Sequence, residues 1–186
     1  HFKNALKDAS DIELLVVDTG SEDDTVKIAK ECGARVEFFE WINDFSAARN
    51  AAIDMAHYEY ILFLDADEHT ESMDIKEIKS LIKRYPEAIG RIERRNRCYS
   101  GADEECIMTD RVERLFSKSL YEYRYSIHEQ VTRKDGKELE AYEIPLTVYH
   151  EGYFGSKEEL KRKAQRNNDL LFKEMENSPE DPYLYY

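Results

Sequence analysis

Two aspartates, Asp65 and Asp67, follow directly after an apolar run in the stretch YILFLDADEH, residues 60–69. Burying carboxylates is costly unless a positive group meets them. Two carboxylates two residues apart at the end of a strand can turn toward one cation, and Mg²⁺ and Mn²⁺ prefer such oxygen ligands. We therefore predict a divalent-metal site at Asp65 and Asp67, with diphosphate oxygens as further ligands. The alternative is a pair of solvated loop carboxylates that cap the next helix.

Two further charged residues are candidates for binding. Asp18 ends the apolar run IELLVVD, where it either caps the following turn or accepts hydrogen bonds from a base or ribose. Arg49 lies in the alanine-rich stretch SAARN, in a predicted helix that we expect to be largely buried. Its guanidinium therefore needs a carboxylate or a phosphate as partner, and both alternatives are open.

The first half of the chain alternates helices with short apolar strands. Helices are predicted over 2–9, from about 21 to 33, from Asp44 or Ser46 to 57, and over 73–85; strands are predicted over 12–18, 34–41 and 60–67. This order predicts parallel strands with crossover helices in a sheet that is covered on both faces. Ligands of such sheets bind outside the carboxyl ends of the strands. Asp18, Asp65 and Asp67 are therefore expected at the mouth of a binding crevice.

The second half has a different pattern. Apolar and charged residues alternate over 88–100, 110–119, 123–132 and 142–153, which predicts strands with one solvated face. Ser156 begins a long amphipathic helix, and Glu159 completes its capping box. We predict one domain over residues 1–155, followed by a helix and the start of a helical repeat region over 156–186.

Composition excludes several classes of protein. The net charge of −13 repels phosphate backbones, so no nucleic-acid partner is expected. The cysteines Cys32, Cys98 and Cys106 have neither metal-ligand spacing nor the count of a disulfide framework, which fits a reducing cytosol. No apolar run is long enough to cross a bilayer. We expect a cytoplasmic protein, with the inner membrane surface as a further location.

The basic residues of the second half are clustered. They stand in one predicted strand: Arg91, Arg94, Arg95 and Arg97. A solvated strand face is the expectation, and contact with an acidic acceptor is the alternative. Trp41 and the tyrosines are candidates for stacking on sugar rings, although most should lie in the core.

Three motifs in fixed order carry a family resemblance: VVDTGSEDDT (16–25), WINDFSAARNAA (41–52) and YILFLDADE (60–68). Together they closely resemble the family 2 glycosyltransferases, in particular a bacterial subgroup often followed by tetratricopeptide repeats. The resemblance implies an α/β GT-A fold, a Rossmann-like fold with a mostly parallel sheet and flanking helices. The chain begins at His1 rather than Met, and we expect that the first strand of this fold is absent. The implied activity is inverting sugar transfer from a nucleotide sugar, usually a UDP-sugar, with Mg²⁺ or Mn²⁺, to an acceptor hydroxyl on an unidentified glycan, lipid or protein.

The resemblance also implies roles for single residues. Asp18 is similar to the aspartate that meets the uracil ring, and Arg49 to the arginine near the nucleotide. Asp65 resembles the first aspartate of the DxD motif, which faces the ribose and reaches the metal through water. Asp67 resembles the second, which binds the metal that bridges the diphosphate. Residues 22–24 read Glu-Asp-Asp, where the subgroup usually has Thr-Asp-Gly.

Inverting transfer also needs a carboxylate that takes the proton of the acceptor hydroxyl. The segment IHEQV, residues 127–131, resembles one of the same subgroup and offers His128 and Glu129. Successive strand residues point to opposite faces, so only one of the two faces the crevice unless both lie in a loop. We expect Glu129 to be the base or an acceptor ligand, and a surface His–Glu pair is the alternative. His150 also matches a subgroup histidine that would complete the metal shell or touch the diphosphate; a core histidine bonded to backbone is the alternative.

Two rival functions remain to be compared. Phosphatases of the haloacid dehalogenase type also place DxD after an apolar strand, but they continue with glycine and threonine where this chain has Glu68 and His69. The second rival is a catalytically inactive module that binds a nucleotide sugar or a partner protein. A missing first strand would expose a sheet edge, and we expect that such an edge supports a homodimer.

Overall fold

The structure of the chain is a computed structural model that describes residues 11–100, 104–151 and 157–181. The predicted helix over 2–9 and the N-cap Ser156 lie outside the described residues, as does the side chain of Glu159. The elements in chain order are β1 (Leu15–Asp18), α1 (Thr25–Glu31), β2 (Arg35–Phe38), α2 (Phe45–Met55), β3 (Tyr60–Leu62), β4 (Glu68–Met73), α3 (Ile75–Arg84), β5 (Ile89–Ser100), β6 (Glu104–Ser117), β7 (Tyr121–Arg124), β8 (Gln130–Arg133), β9 (Ala141–His150) and α4 (Lys157–Asn177).

The chain divides into two compact units. The first unit comprises His1–Ile12, Tyr58–Tyr121 and Arg133–Ser156, and the second comprises Glu13–His57, Glu122–Thr132 and Lys157–Tyr186. Helix α4 belongs to the same unit as β1 and β2, and the domain boundary at residue 155 stays a prediction.

The second unit contains the first strand–helix–strand segment that the sequence predicts. Strands β1 and β2 pair in parallel, with Leu15 opposite Arg35 and Asp18 opposite Phe38, and α1 forms the crossover between them, as predicted. Helix α2 begins after Asp44, whose side chain accepts a hydrogen bond from the backbone N–H of Ala47. The predicted start of this helix is therefore confirmed.

The first unit contains a five-stranded sheet in the order β3-β6-β5-β9-β4. Its α/β class agrees with the sequence prediction, but the sheet is mixed. Strands β5 and β9 pair in parallel, whereas the other three neighbouring pairs are antiparallel. The expectation of a mostly parallel sheet needs this correction, because it came from the first half of the chain alone, and the long hairpin of β5 and β6 contributes most of the antiparallel pairing.

Strand β4 was not predicted. Its sequence EHTESM is almost entirely polar, and it lies at one edge of the sheet, where polar residues protect a strand from further pairing. The prediction had a helix starting at Met73; the helix α3 starts at Ile75, and its N-cap Asp74 accepts from the backbone N–H of Glu77 at 3.0 Å.

The core of the first unit depends on a β-bulge in β6. Gly90 pairs with Leu115 and the next residue of β5, Arg91, pairs with Glu113, so Arg114 is the extra residue. Because of the bulge, Val112 and Leu115 pack into one cluster although they are three residues apart. The buried members of that cluster are Ile78, Ile92, Leu115, Ile144, Leu146 and Val148.

The hairpin of β5 and β6 pairs its arginines with carboxylates. The ion pairs are Arg91–Glu143 at 3.0 Å, Arg94–Asp110 at 2.7 Å, Arg95–Glu71 at 2.6 Å and Arg97–Glu105 at 3.1 Å. These pairs favour the solvated strand face over contact with an acidic acceptor.

The same hairpin holds a disulfide that was not predicted. Cys98 and Cys106 lie directly opposite each other in the antiparallel register, with their Cα atoms 5.2 Å apart, and form a disulfide bond. Their spacing in the sequence carries no recognisable motif, so only the strand register shows the pairing. No helix in the described part of the chain has both the length and the hydropathy to cross a bilayer.

Candidate active site

The carboxylate of Asp18 caps the turn that follows β1. Asp18 is buried, and its Oδ2 accepts hydrogen bonds from the backbone N–H groups of Gly20 and Ser21, each at 3.1 Å. Hydrogen bonds from Ser21, first from its side chain and then from its backbone, hold the pKa of Asp18 below its ordinary value. The turn-capping role left open by the sequence is thus present, with the carboxylate in its charged form.

A cleft lies beside this turn in the second unit. It has a volume of about 270 Å³ and is lined by Thr19, Trp41, Phe45 and Arg166. The rings of Trp41 and Phe45 meet edge to face with centroids 4.8 Å apart, and the guanidinium carbon of Arg166 lies 5.3 Å from the Phe45 ring centroid. Sequence reasoning missed Thr19 and Arg166; Arg166 in particular comes from α4, far along the chain, and no local pattern marks it.

Arg49 of α2 has a carboxylate partner. Its Nε donates to Oε1 of Glu129 at 2.7 Å, and its guanidinium carbon lies 5.2 Å from the ring centroid of Tyr123. Both members of the ion pair are largely buried. The structure therefore brings together two predicted site residues, Arg49 and Glu129. Of the two partners considered for Arg49, a carboxylate and a phosphate, the carboxylate is the one observed.

Asn50, the next residue of the same motif, fixes strand β7. Its Nδ2 donates to the carbonyl oxygen of Tyr123 at 2.9 Å, and its Oδ1 accepts from the N–H of Tyr123 at 2.8 Å. The SAARN motif thus anchors the segment that leads to Glu129.

His128 and Glu129 lie in the loop between β7 and β8. The continuous strand predicted over 123–132 is wrong, because β7 ends at Arg124 and β8 begins at Gln130. His128 has a φ of 54°, in the left-handed region that strands do not use. The restriction that only one of the two side chains can face the crevice therefore does not apply.

Arg114 is the positive group that meets Asp65. Its Nη2 donates to Oδ2 of Asp65 at 2.7 Å and to Oε1 of Glu68 at 2.8 Å. The side chain of Glu68 is fully buried, and burial raises its pKa although the charge of Arg114 opposes this. Sequence reasoning missed Arg114, because the bulge that sets the direction of its side chain is not visible in the alternating pattern.

Asp67 and His150 meet within the first unit. His150 Nε2 lies 3.3 Å from Oδ2 of Asp67, and the pairing of β4 with β9 places His150 opposite Glu68. His150 Nδ1 lies 2.8 Å from Oδ1 of Asn96, whose Nδ2 donates to the carbonyl oxygen of Met108. In the neutral tautomer whose Nδ1–H donates to Asn96, Nε2 presents a lone pair toward Asp67. His150 is thus bonded to the side chain of Asn96.

Asp67 and His150 are the candidate ligands for the predicted divalent cation. No group of three or more acidic, histidine or cysteine ligands occurs among the residues that the structure describes. Mg²⁺ and Mn²⁺ at phosphate sites typically use only one or two protein ligands, and substrate oxygens and water fill the remaining positions. A histidine whose other nitrogen is hydrogen-bonded is the usual form of a metal ligand. Asp65 differs from Asp67 in its partner, because its carboxylate forms an ion pair with Arg114.

The fold and these residues define a GT-A-type α/β protein. The chain belongs to glycosyl transferase family 2, whose family model matches residues 2–135. The family resemblance seen in the three motifs is confirmed.

Two curated relatives align along almost the whole chain. A TPR repeat-containing protein of Synechococcus elongatus is 33% identical over 189 aligned residues, which cover 97% of this chain and 45% of the relative. The SPbeta prophage-derived glycosyltransferase SunS of Bacillus subtilis is 30% identical, with coverage of 98% and 43%. The chain therefore spans less than half the length of these relatives. The name of the first relative agrees with the expected association with tetratricopeptide repeats.

A solved structure supports the fold. The crystal structure of S. aureus TarS matches 75% of this chain and 31% of its own with a TM-score of 0.50. Its sequence identity of 14% limits the comparison to the fold.

Proposed function

We propose that the chain is the donor-binding and catalytic part of an inverting glycosyltransferase that moves a sugar from a UDP-sugar to an acceptor hydroxyl. The observation that carries the proposal is the pair of Asp67 and His150. Nε2 of His150 and Oδ2 of Asp67 are 3.3 Å apart, and Nδ1 of His150 lies 2.8 Å from Oδ1 of Asn96. A carboxylate and an imidazole lone pair facing each other favour a shared cation.

Asp67 and His150 would hold Mg²⁺ or Mn²⁺ together with the donor diphosphate. The cation would stabilise the charge that develops on the leaving diphosphate. Arg114 draws Asp65 and Glu68 together through its two hydrogen bonds, which supports a role for Asp65 in orienting the donor rather than in binding the cation directly.

The cleft of Thr19, Trp41, Phe45 and Arg166 would accept the uracil ring and its ribose. Its aromatic walls suit a planar base, and the guanidinium of Arg166 supplies positive charge in a chain whose net charge is −13. Asp18 lies next to Thr19 and keeps the turn in place through its bonds to Gly20 and Ser21.

Glu129 is proposed as the base that takes the proton of the acceptor hydroxyl. The ion pair with Arg49 orients its carboxylate. His128 lies next to it in the loop, where it would contact the acceptor.

The first experiment is calorimetric titration of the chain with UDP, with and without Mn²⁺. We expect Mn²⁺ to strengthen UDP binding at least tenfold in the wild type, and we expect Asp67→Asn and His150→Gln to lose this gain. Asp54→Asn, at an exposed position of α2, is the matched control and should keep it. If Mn²⁺ does not affect UDP binding, or if the Asp67→Asn variant responds like the wild type, the metal-dependent donor site is wrong.

Turnover distinguishes the proposed enzyme from the rival function, a catalytically inactive binding module. Incubation with UDP-glucose or UDP-N-acetylglucosamine should release UDP through transfer to water if Glu129 acts as a base. Metal-dependent binding of UDP without any release from either donor would favour the binding module instead.

A further inference from the structure

The loop over residues 125–129, called the 125–129 loop below, has a backbone conformation that requires support. Tyr125 has a φ of 73° and His128 a φ of 54°. Left-handed conformations of bulky non-glycine residues are disfavoured and persist only where the surrounding contacts determine them. The loop carries Glu129, so whatever holds its backbone also sets the position of that carboxylate.

Helix α4 and the residues that follow it supply part of this support. Glu174 accepts a hydrogen bond from the backbone N–H of Ser126 at 3.2 Å, and its Oε2 also accepts from the hydroxyl of Ser126. Asp181 accepts from the hydroxyl of Tyr125 at 3.0 Å. Two carboxylates of the carboxy-terminal segment thus bind two successive residues of the loop.

Helix α2 holds the same loop through different atoms. The backbone N–H of Phe45 donates to the carbonyl oxygen of Ser126 at 2.9 Å, and Arg49 binds Glu129. The N–H, the carbonyl and the hydroxyl of Ser126 are therefore all hydrogen-bonded, to α2 on one hand and to α4 on the other. Arg166 of α4 also contacts the ring of Phe45, so the two helices are in contact with each other.

We propose that Glu174 and Asp181 are positioning residues that hold the 125–129 loop, and through it the base Glu129, in the conformation used for transfer. The assignment of Glu129 rests on the function proposed above. Both residues lie beyond the 2–135 match to the family model. Helix α4 would therefore contribute to catalysis by holding this loop. The sequence, in contrast, predicts α4 to be a separate carboxy-terminal segment.

The test compares amide hydrogen exchange and turnover in Glu174→Ala with Glu176→Ala, a matched control at an exposed position of the same helix. We expect exchange in the 125–129 loop to rise at least tenfold in Glu174→Ala and to stay unchanged in Glu176→Ala. Exchange in β1 and β2 should not change in either variant. Glu174→Gln retains an acceptor oxygen and should restore most of the protection, and Ser126→Ala, which removes only the hydroxyl, should show a smaller rise.

Turnover separates positioning from a purely structural role. With UDP-glucose and UDP-N-acetylglucosamine as donors, kcat for UDP release should fall at least tenfold in Glu174→Ala while KM for the donor changes less than twofold. Glu174→Gln should recover most of kcat. Unchanged exchange in the loop, a rise of similar size in all elements, or a loosened loop with unchanged kcat would each overturn the proposal. If the wild type releases no UDP, the proposed function fails, and the exchange data still decide whether Glu174 holds the loop.

Discussion

The carboxylates at the end of the apolar run differ in their partners, residue by residue. Asp65 and Glu68 share one guanidinium of Arg114, whereas Asp67 faces His150. The DxD motif therefore divides into one aspartate that is bound by an arginine and one that faces a histidine. The pair of Arg114 and Glu68 is the more deeply buried, with exposed side-chain fractions of 6% and 0%.

Replacing Arg114 tests this division at the level of one residue. Arg114→Met should lower the free energy of unfolding by about 3–5 kcal/mol. It removes the nearer of the two cations that face the buried Glu68, and the remaining one, Arg94, is 4.0 Å away. Urea denaturation followed by circular dichroism measures the loss. The double variant Arg114→Met/Glu68→Gln should recover part of the stability, since it removes the buried charge of Glu68 as well. A loss below about 1 kcal/mol in the single variant would contradict the assigned role of Arg114.

At the scale of elements, the strands β5, β6 and β9 meet closely around Gly90. A Cβ added at this position would lie 2.9 Å from Cγ2 of Ile144 and 3.0 Å from Cβ of Leu115. Both neighbours belong to the buried cluster, so neither can move freely. The absence of a side chain at Gly90 thus permits the close approach of β9 and β6 to β5 next to the bulge that directs Arg114.

Gly90→Ala should therefore destabilise the first unit. We expect a loss of about 1–3 kcal/mol in the free energy of unfolding, as is usual for overpacking in a core. Thermal or urea unfolding measures the change. In the background of Ile144→Ala, which removes the nearer contact, the same substitution should cost less than in the wild type. Equal costs in the two backgrounds would show that the contact with Ile144 is not the cause.

At the scale of the whole molecule, 40 acidic residues face 27 lysines and arginines, and several carboxylates depend on specific donors. A hydrogen bond from Arg35 lowers the pKa of Glu13, and one from Ser117 lowers the pKa of Glu59. Burial alone would raise the pKa of Asp110, but the hydrogen bond and charge of Arg94 outweigh it and the pKa is lowered. Glu68 has the opposite shift because of its burial.

These shifts predict how stability depends on pH. A carboxylate with a lowered pKa in the folded state contributes stability above its ordinary pKa of 3.8 for aspartate or 4.5 for glutamate, and this contribution is lost as pH falls through the folded value. We expect the free energy of unfolding to decrease as the pH drops below about 4.5. The reason is that several carboxylates have a lowered pKa, whereas that of Glu68 is raised. Glu13→Gln should destabilise the chain more at pH 7 than at pH 3, as measured by urea denaturation at each pH. A difference from wild type that is the same at both pH values would contradict this reading.

The sequence by itself determined the local elements and the order of the motifs. The apolar runs that became β1 and β3, the N-cap Asp44 of α2 and the three family motifs depend on residues close together in the chain, where helix capping and apolar patterning act. The edge strand β4 was not predicted from the sequence, because its residues are almost all polar and show no apolar pattern.

Only the tertiary structure decided how the candidate site is assembled. The pairing of Arg49 with Glu129, of Asp67 with His150, and of Ser126 with Glu174 joins residues that are 48 or more positions apart. Such contacts depend on strand register and on bulges, and a shift of one residue turns a side chain to the other face of a sheet. Arg114 shows this most directly: strict alternation would group it with Val112, but the extra residue in β6 lets Leu115 join Val112 in the core, and Arg114 lies between Asp65 and Glu68.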